Sequence, residues 1–195
     1  MNNLIKIVGQ WDEGYVLSEH MISSQFIGYD ENGRERYNSK RSILGELLYQ
    51  FKYKQNKNEL PLIIQIVKEK IIELNLEQKV DVVIPVPASN KNRIYQPVYI
   101  LAQAIARQLN KKYIENVLEK TNDRQAKDGK IQENSIIKNI NFNNPTNVLV
   151  VDDLYSTGNT LNEVVKILKN DSNIKKVYCL VMTKTKRGGN NWIYL

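Results

Sequence analysis

Asp152 and Asp153 are adjacent carboxylates, and three residues further on begins Ser156-Thr157-Gly158-Asn159-Thr160, a run of hydroxyls, a glycine and an amide without an acid in it. A carboxylate accepts hydrogen bonds well, and the two vicinal hydroxyls of a sugar suit such a pair. The run that follows suits an oxyanion: successive backbone N–H groups, side-chain hydroxyls, and a glycine that lets the backbone approach closely. Acids facing a phosphate would be unfavourable, but a ribose phosphate satisfies both halves at once.

Those residues need a frame. Val148, Leu149, Val150 and Val151 are four consecutive apolar residues, three of them β-branched, as in a strand covered on both faces in a parallel sheet. The acids then fall at its carboxyl end, where ligands bind in open α/β sheets. Leu161, Val164, Val165 and Leu168 recur at helical period, and Thr160 and Glu163 have the spacing of a capping box, so a helix is expected to begin at the loop. Its positive end favours a phosphate dianion. Neither a Gly-x-x-x-x-Gly-Lys-Ser/Thr nor a Gly-x-Gly-x-x-Gly motif is present, which removes the commonest nucleotide-binding loops.

Val80, Val82, Val83 and Ile84 predict a second buried strand, ending in Pro85-Val86-Pro87-Ala88-Ser89-Asn90-Lys91-Asn92-Arg93. The prolines stop the strand, and Ser89, Lys91 and Arg93 can meet an anion once the chain leaves the sheet. A third segment, holding Lys120, Thr121, Arg124, Gln125 and Lys127, is polar and dense in cations. It reads either as a loop that closes over a ligand or as a solvated connection.

At residues 151–160 the sequence resembles the phosphoribosyl pyrophosphate (PRPP) signature of type I phosphoribosyltransferases, two acids before a Thr-Gly-x-Thr loop. The resemblance implies that Asp152 and Asp153 hold the ribose hydroxyls, directly or through Mg2+ and water. It also implies that Ser156, Thr157, Gly158, Asn159 and Thr160 hold the 5-phosphate. It assigns Pro87, Ala88, Ser89, Asn90, Lys91 and Arg93 to pyrophosphate, and residues 120–130 to a flexible loop in which Thr121 and Gln125, with Asn134 beyond it, are counterparts of family positions. The Ile-Pro-Val-Pro stretch followed by Arg93 and Gln96 is similar to the ComF-like, competence-protein branch. That branch often has Arg-Arg-Gly-Phe-Asn-Gln where this chain has Asn92-Arg93-Ile94-Tyr95-Gln96-Pro97, so its glycine and asparagine are missing.

Many ComF-like proteins begin with a cysteine-rich zinc module. This chain has one cysteine, Cys179, inside an apolar run, which excludes an internal disulfide or a multi-cysteine zinc site and reads as a small core residue. His20 has no neighbouring cysteine or second histidine, and neither a metal nor a catalytic role is expected of it. Residues 14–20 and 25–29 read as short strands before an Asp30-Glu31-Asn32-Gly33 turn, a hairpin signal. Ile43, Leu47, Leu48 and Phe51, then Ile63, Ile66, Val67 and Ile71, have helical spacing, and Lys52-Tyr53-Lys54 is similar to a Lys-Tyr stretch of the family. By analogy with type I enzymes, residues 1–37 are expected as a hood over the site.

The expected fold is α/β: a mostly parallel sheet flanked by helices on both faces, one domain over residues 1–195, with an N-terminal hairpin and helical hood. At 195 residues and 42% hydrophobic the chain can bury one sizeable core. No apolar run reaches the roughly 18 residues of a membrane span, and no signal core is visible, so a cytoplasmic protein is expected. The net charge of +7 suits a polyanion such as PRPP and equally suits nucleic acid. The densest basic patch, residues 184–190, reads as a site edge or a solvated tail. The expected activity is transfer of phosphoribosyl from Mg2+-bound PRPP to an unknown nitrogen acceptor. Competing expectations are a ComF-like protein binding single-stranded DNA and a PRPP-responsive regulator without turnover. A homodimer is compatible with each.

Overall fold

Val148, Leu149, Val150 and Val151 have no solvent-exposed surface, because both faces of their strand are covered. The computed structural model describes residues 4–88, 94–121, 136–185 and 192–194. In chain order the elements are β1 (Ile5–Ile7), β2 (Glu13–Glu19), β3 (Met21–Tyr29), β4 (Glu35–Arg41), α1 (Ile43–Tyr53), a short 3-10 turn (Lys57–Glu59), α2 (Leu60–Glu73), α3 (Leu76–Lys79) and β5 (Val82–Pro85). Then follow α4 (Pro97–Gln108), β6 (Lys112–Tyr113), β7 (Leu118–Lys120), β8 (Ile136–Lys138), β9 (Thr146–Tyr155), α5 (Asn159–Lys169), β10 (Ile174–Lys184) and β11 (Trp192–Tyr194).

The central sheet has the order β11-β1-β2-β10-β9-β5-β6. Strands β2, β10, β9, β5 and β6 run parallel, and β1 and β11 are antiparallel additions at one edge. This is the mostly parallel, helix-covered α/β sheet expected from the apolar runs. Alternation along β9 sorts its side chains. Leu149 and Val151 face Leu44, Leu48 and Phe51 of α1, Ile63 and Val67 of α2 and Leu101 and Ile105 of α4. Val148 and Val150 face Leu161, Val164, Val165 and Leu168 of α5. Each fully buried aliphatic side chain contributes about 1.5–3 kcal/mol through burial, so the sheet is clamped from both sides. Cys179 is buried within the α5 layer, as its apolar flanks imply.

Within the residues expected as a hood, β1 and β2 belong to the central sheet, with Ile5, Ile7, Val16 and Leu17 buried. The hairpin is formed by β3 and β4 across the Asp30 turn, where Asp30 Oδ1 accepts from the Asn32 and Arg34 N–H groups and Gly33 sits at φ +73°. The strand expected over residues 14–20 is β2, and it pairs with β10. Apolar residues at alternate positions do not identify a partner strand, and here the long apolar β10 outcompetes the local one. Among the described residues no helix is long and apolar enough to cross a membrane.

Candidate functional site

All parallel strands end on one edge, so β9 delivers Asp152 and Asp153 between the carboxyl ends of β5 and β10. The Asp153 N–H donates to Asp152 Oδ1 at 2.8 Å, fixing the first carboxyl against its own backbone. Burial, then the charge of Asp153, pushes the Asp152 carboxyl up to about 7. A pair of acids held this close binds hydroxyl donors or a cation better than it tolerates solvent.

The loop beyond them ends where Gly158 takes φ +82° and starts α5. A Cβ there would lie 2.6 Å from the Tyr155 hydroxyl, so both conformation and space require glycine. Tyr155 is buried below the loop, edge-on to Trp11, while Ser156, Thr157 and Asn159 are exposed above it. Residues 156–160, with Asp152, line a cleft of about 80 Å3 at the start of α5. The predicted capping box is not formed: no side chain caps α5, and Glu163 Oε1 accepts from the Ile136 N–H at 3.2 Å. At the start of α5 the Asn159 N–H donates to Thr157 Oγ1 at 3.4 Å.

A larger cavity of about 320 Å3 opens beside the acids, lined among others by Lys52, Pro87, Ala88, Gln96, Lys120, Asp152, Asp153 and Thr160. It brings together the carboxylates, the last residue of the anion loop, the start of the proline-bounded loop and one lysine of the third segment. Ala88 N–H donates to the Tyr99 hydroxyl of α4, which anchors the loop entrance. Ser89, Asn90, Lys91 and Arg93, and likewise Arg124, Gln125, Lys127 and Asn134, lie outside the described residues; Thr121 is the last residue before that gap.

Two residues that the sequence had not placed at the site stand beside it. Lys52, in the last turn of α1, puts Nζ 2.5 Å from Asp153 Oδ2. Burial works against its charge, but the Asp153 carboxylate outweighs that and holds the ammonium above its ordinary range. His20, just past β2, has Nδ1 3.2 Å from Thr183 Oγ1, and burial followed by Arg41 and Lys52 lowers its affinity for a proton. The signal for Lys52 was present in Lys52-Tyr53-Lys54; its partner, a hundred residues away, was not. Helix α1 is held in place at both ends. Ser42 caps its start, Gly45 packs against the His20 carbonyl, and the Tyr95 hydroxyl donates to the Phe51 carbonyl at 2.8 Å. Lys184, expected in a basic patch, is buried at the end of β10, 3.6 Å from Glu19, and residues 186–190 lie outside the described residues.

Residues 53–192 match the family model described as the phosphoribosyl transferase domain. Among solved structures, a hypothetical protein from Neisseria gonorrhoeae with bound ppGpp is similar at 17% identity and TM-score 0.50, over 70% of this chain and 73% of that one. A hypoxanthine phosphoribosyltransferase from Staphylococcus aureus is similar at 14% identity and TM-score 0.45, over 64% of each chain. A purine phosphoribosyltransferase from Pyrococcus horikoshii reaches 21% identity and TM-score 0.42, over 69% and 85%. A search of curated protein sequences returned no match.

Proposed function

The chain belongs to the phosphoribosyl transferase domain family, and from that premise we propose that it binds PRPP with Mg2+ and transfers the phosphoribosyl group to a nitrogen acceptor, releasing pyrophosphate. The observation that carries this reading is that Asp152 and Thr160 line both the cavity that holds Asp153 and the adjoining cleft formed by residues 156–160, at the carboxyl edge of the sheet. In this reading Asp152 and Asp153 orient the ribose, and residues 156–160 grip the 5-phosphate through backbone N–H groups and hydroxyls. Pro87 and Ala88 open the pyrophosphate side, with Ser89, Asn90, Lys91 and Arg93 following, and Lys120 adds a positive charge against the leaving group. Thr121, Arg124, Gln125 and Lys127 are proposed to cover the bound donor.

The residues fit Mg2+ carried on the donor rather than a resident ion. Among the described residues no three acids, histidines or cysteines form a metal cage, and two hard carboxylates suit a cation that keeps its waters and phosphate ligands. When bound, Mg2+ would neutralise charge growing on the pyrophosphate. The protein's own part is to align the ribose, exclude water and stabilise a cation-like C1.

Within the family we propose the ComF-like branch, supported by Ile84-Pro85-Val86-Pro87 running from β5 and by Gln96 at the cavity, before α4. The test is pyrophosphate release from Mg2+-PRPP across a panel of purine, pyrimidine and amine acceptors. Acceptor-dependent release establishes the transferase; PRPP binding with no release for any acceptor contradicts turnover and leaves a PRPP-responsive binding protein.

A further inference from the structure

Lys52 precedes the stretch that matches the family model, yet its ammonium occupies one of the two acids at the centre of the site. The Lys52–Asp153 pair also forms a partition. Both residues line the 320 Å3 cavity, and both line a second cleft of about 30 Å3 together with His20, Tyr49, Tyr53 and Thr183. The small cleft has room for about one water-sized group, so it can take the tip of an acidic substituent at its mouth and not a ring. Tyr49 and Tyr53, with ring centroids 5.5 Å apart, stand at its wall, and the Lys52 ammonium lies 5.6 Å from the Tyr53 ring centre. Asp153 is the only acid lining it among the described residues, while Arg41, stacked 3.8 Å over Tyr49 and paired with Glu46, adds positive charge nearby.

The two clefts flank β9 on opposite sides. The proline-bounded loop leaves β5 on one side, and His20 and Thr183 belong to the β2 and β10 side. A displacement at ribose C1 brings acceptor and leaving group to opposite faces of that carbon: the C1–N bond forms as the C1–O bond breaks, the electron pair leaves with pyrophosphate, and the acceptor nitrogen gives up its proton to solvent or pyrophosphate.

We propose that Lys52 is a specificity-determining residue that yields Asp153 to the donor's ribose and then binds a negatively charged group on the acceptor, in the cleft of His20, Tyr49, Tyr53 and Thr183. The inference rests on the reading of the cavity as a phosphoribosyl donor site. Before the donor arrives, Lys52 and Asp153 neutralise each other. When ribose hydroxyls take the Asp153 oxygens, an ammonium whose side chain is only 26% exposed gives up its direct contact with that carboxylate. A half-buried ammonium without a contacting acceptor is costly, and the Tyr53 face compensates only in part. The flexible stem of lysine lets the head turn into the small cleft, where an anionic group on a planar acceptor restores the balance. The acceptor class is therefore an acidic aromatic or heteroaromatic compound, bound after the donor.

The test uses the full chain and two probe pairs matched in shape but not charge, orotate against uracil and nicotinate against nicotinamide. Binding is titrated by calorimetry with and without ribose 5-phosphate and Mg2+, which fill the donor site without reacting. The expected result is that at least one carboxylated probe binds about tenfold or more tightly than its neutral match, and only with ribose 5-phosphate present. Lys52→Met abolishes the preference and Lys52→Arg retains it. Equal binding within both pairs in the wild type, or a preference that survives in Lys52→Met, overturns the proposal; the wild-type comparison decides even if Lys52→Met misfolds. Failure of ribose 5-phosphate itself to bind the wild type overturns the donor-site reading beneath it, a separate outcome in the same titrations.

Discussion

Asp152 is kept where its charge is unfavourable, and that has a measurable signature. Its folded-state carboxyl titrates near 7 while an unfolded aspartate titrates near 3.8, so between those values the folded protein holds a proton that the unfolded chain has lost. Stability from this group therefore falls as pH rises from about 4 to about 7, and the penalty is constant above that. Asp152→Asn removes it: the variant is expected to melt a few degrees higher than wild type at pH 8, with the gain shrinking to nothing as pH falls toward 4. Thermal melts across that range check the prediction, and a gain independent of pH would contradict it. A binding site that costs stability is the usual trade-off for function. Asp152 and Asp153 were legible in the sequence because adjacent acids at the end of an apolar run leave few structural uses. The pairing of Lys52 with Asp153 was not, because an ion pair spanning the fold has no local spacing.

Helices α1 and α5 illustrate different kinds of legibility. The apolar stripe of α5 was plain at 3.6-residue period, and with it the start of the helix at the loop. The capping box was read from spacing alone and failed because Glu163 found a backbone partner on β8. Helix α1 was equally periodic, but its job depends on what lies under its first turn. A Cβ on Gly45 would come within 2.2 Å of the His20 carbonyl oxygen. Gly45→Ala must therefore lift α1, and overpacking of this kind costs about 1–3 kcal/mol, more than helix propensity returns. The variant is expected to lose that much stability in denaturant titration and to shift Lys52 away from Asp153. A stabilised Gly45→Ala protein would show that α1 is not seated on β2 as described.

Taken as one molecule, the fold divides into a deeply buried parallel sheet and an exposed hairpin. The sheet was legible because runs such as residues 148–151 and 177–182 have few alternatives to burial on both faces. The assignment of β1 and β2 to that sheet was not, because strand partners are chosen by long-range register. Strands β9 and β10 are covered on both sides, whereas among the described residues β3 and β4 form a two-stranded sheet of their own and leave Phe26, Ile27 and Tyr29 largely in solvent. Isolated two-stranded sheets are marginal in water, so amide exchange is expected to be fast throughout residues 21–41 and slowest in β5, β9 and β10. Protection of the hairpin equal to that of β9 would contradict this division. The central claim concerns the edge that the sheet presents. It is tested most directly by calorimetric titration of Mg2+-PRPP into the wild-type protein and into the Asp152→Asn/Asp153→Asn variant, with folding of both verified by circular dichroism. The account predicts saturable binding to the wild type that is lost in the folded variant; absence of binding to the wild type, or equal binding to both, would contradict it.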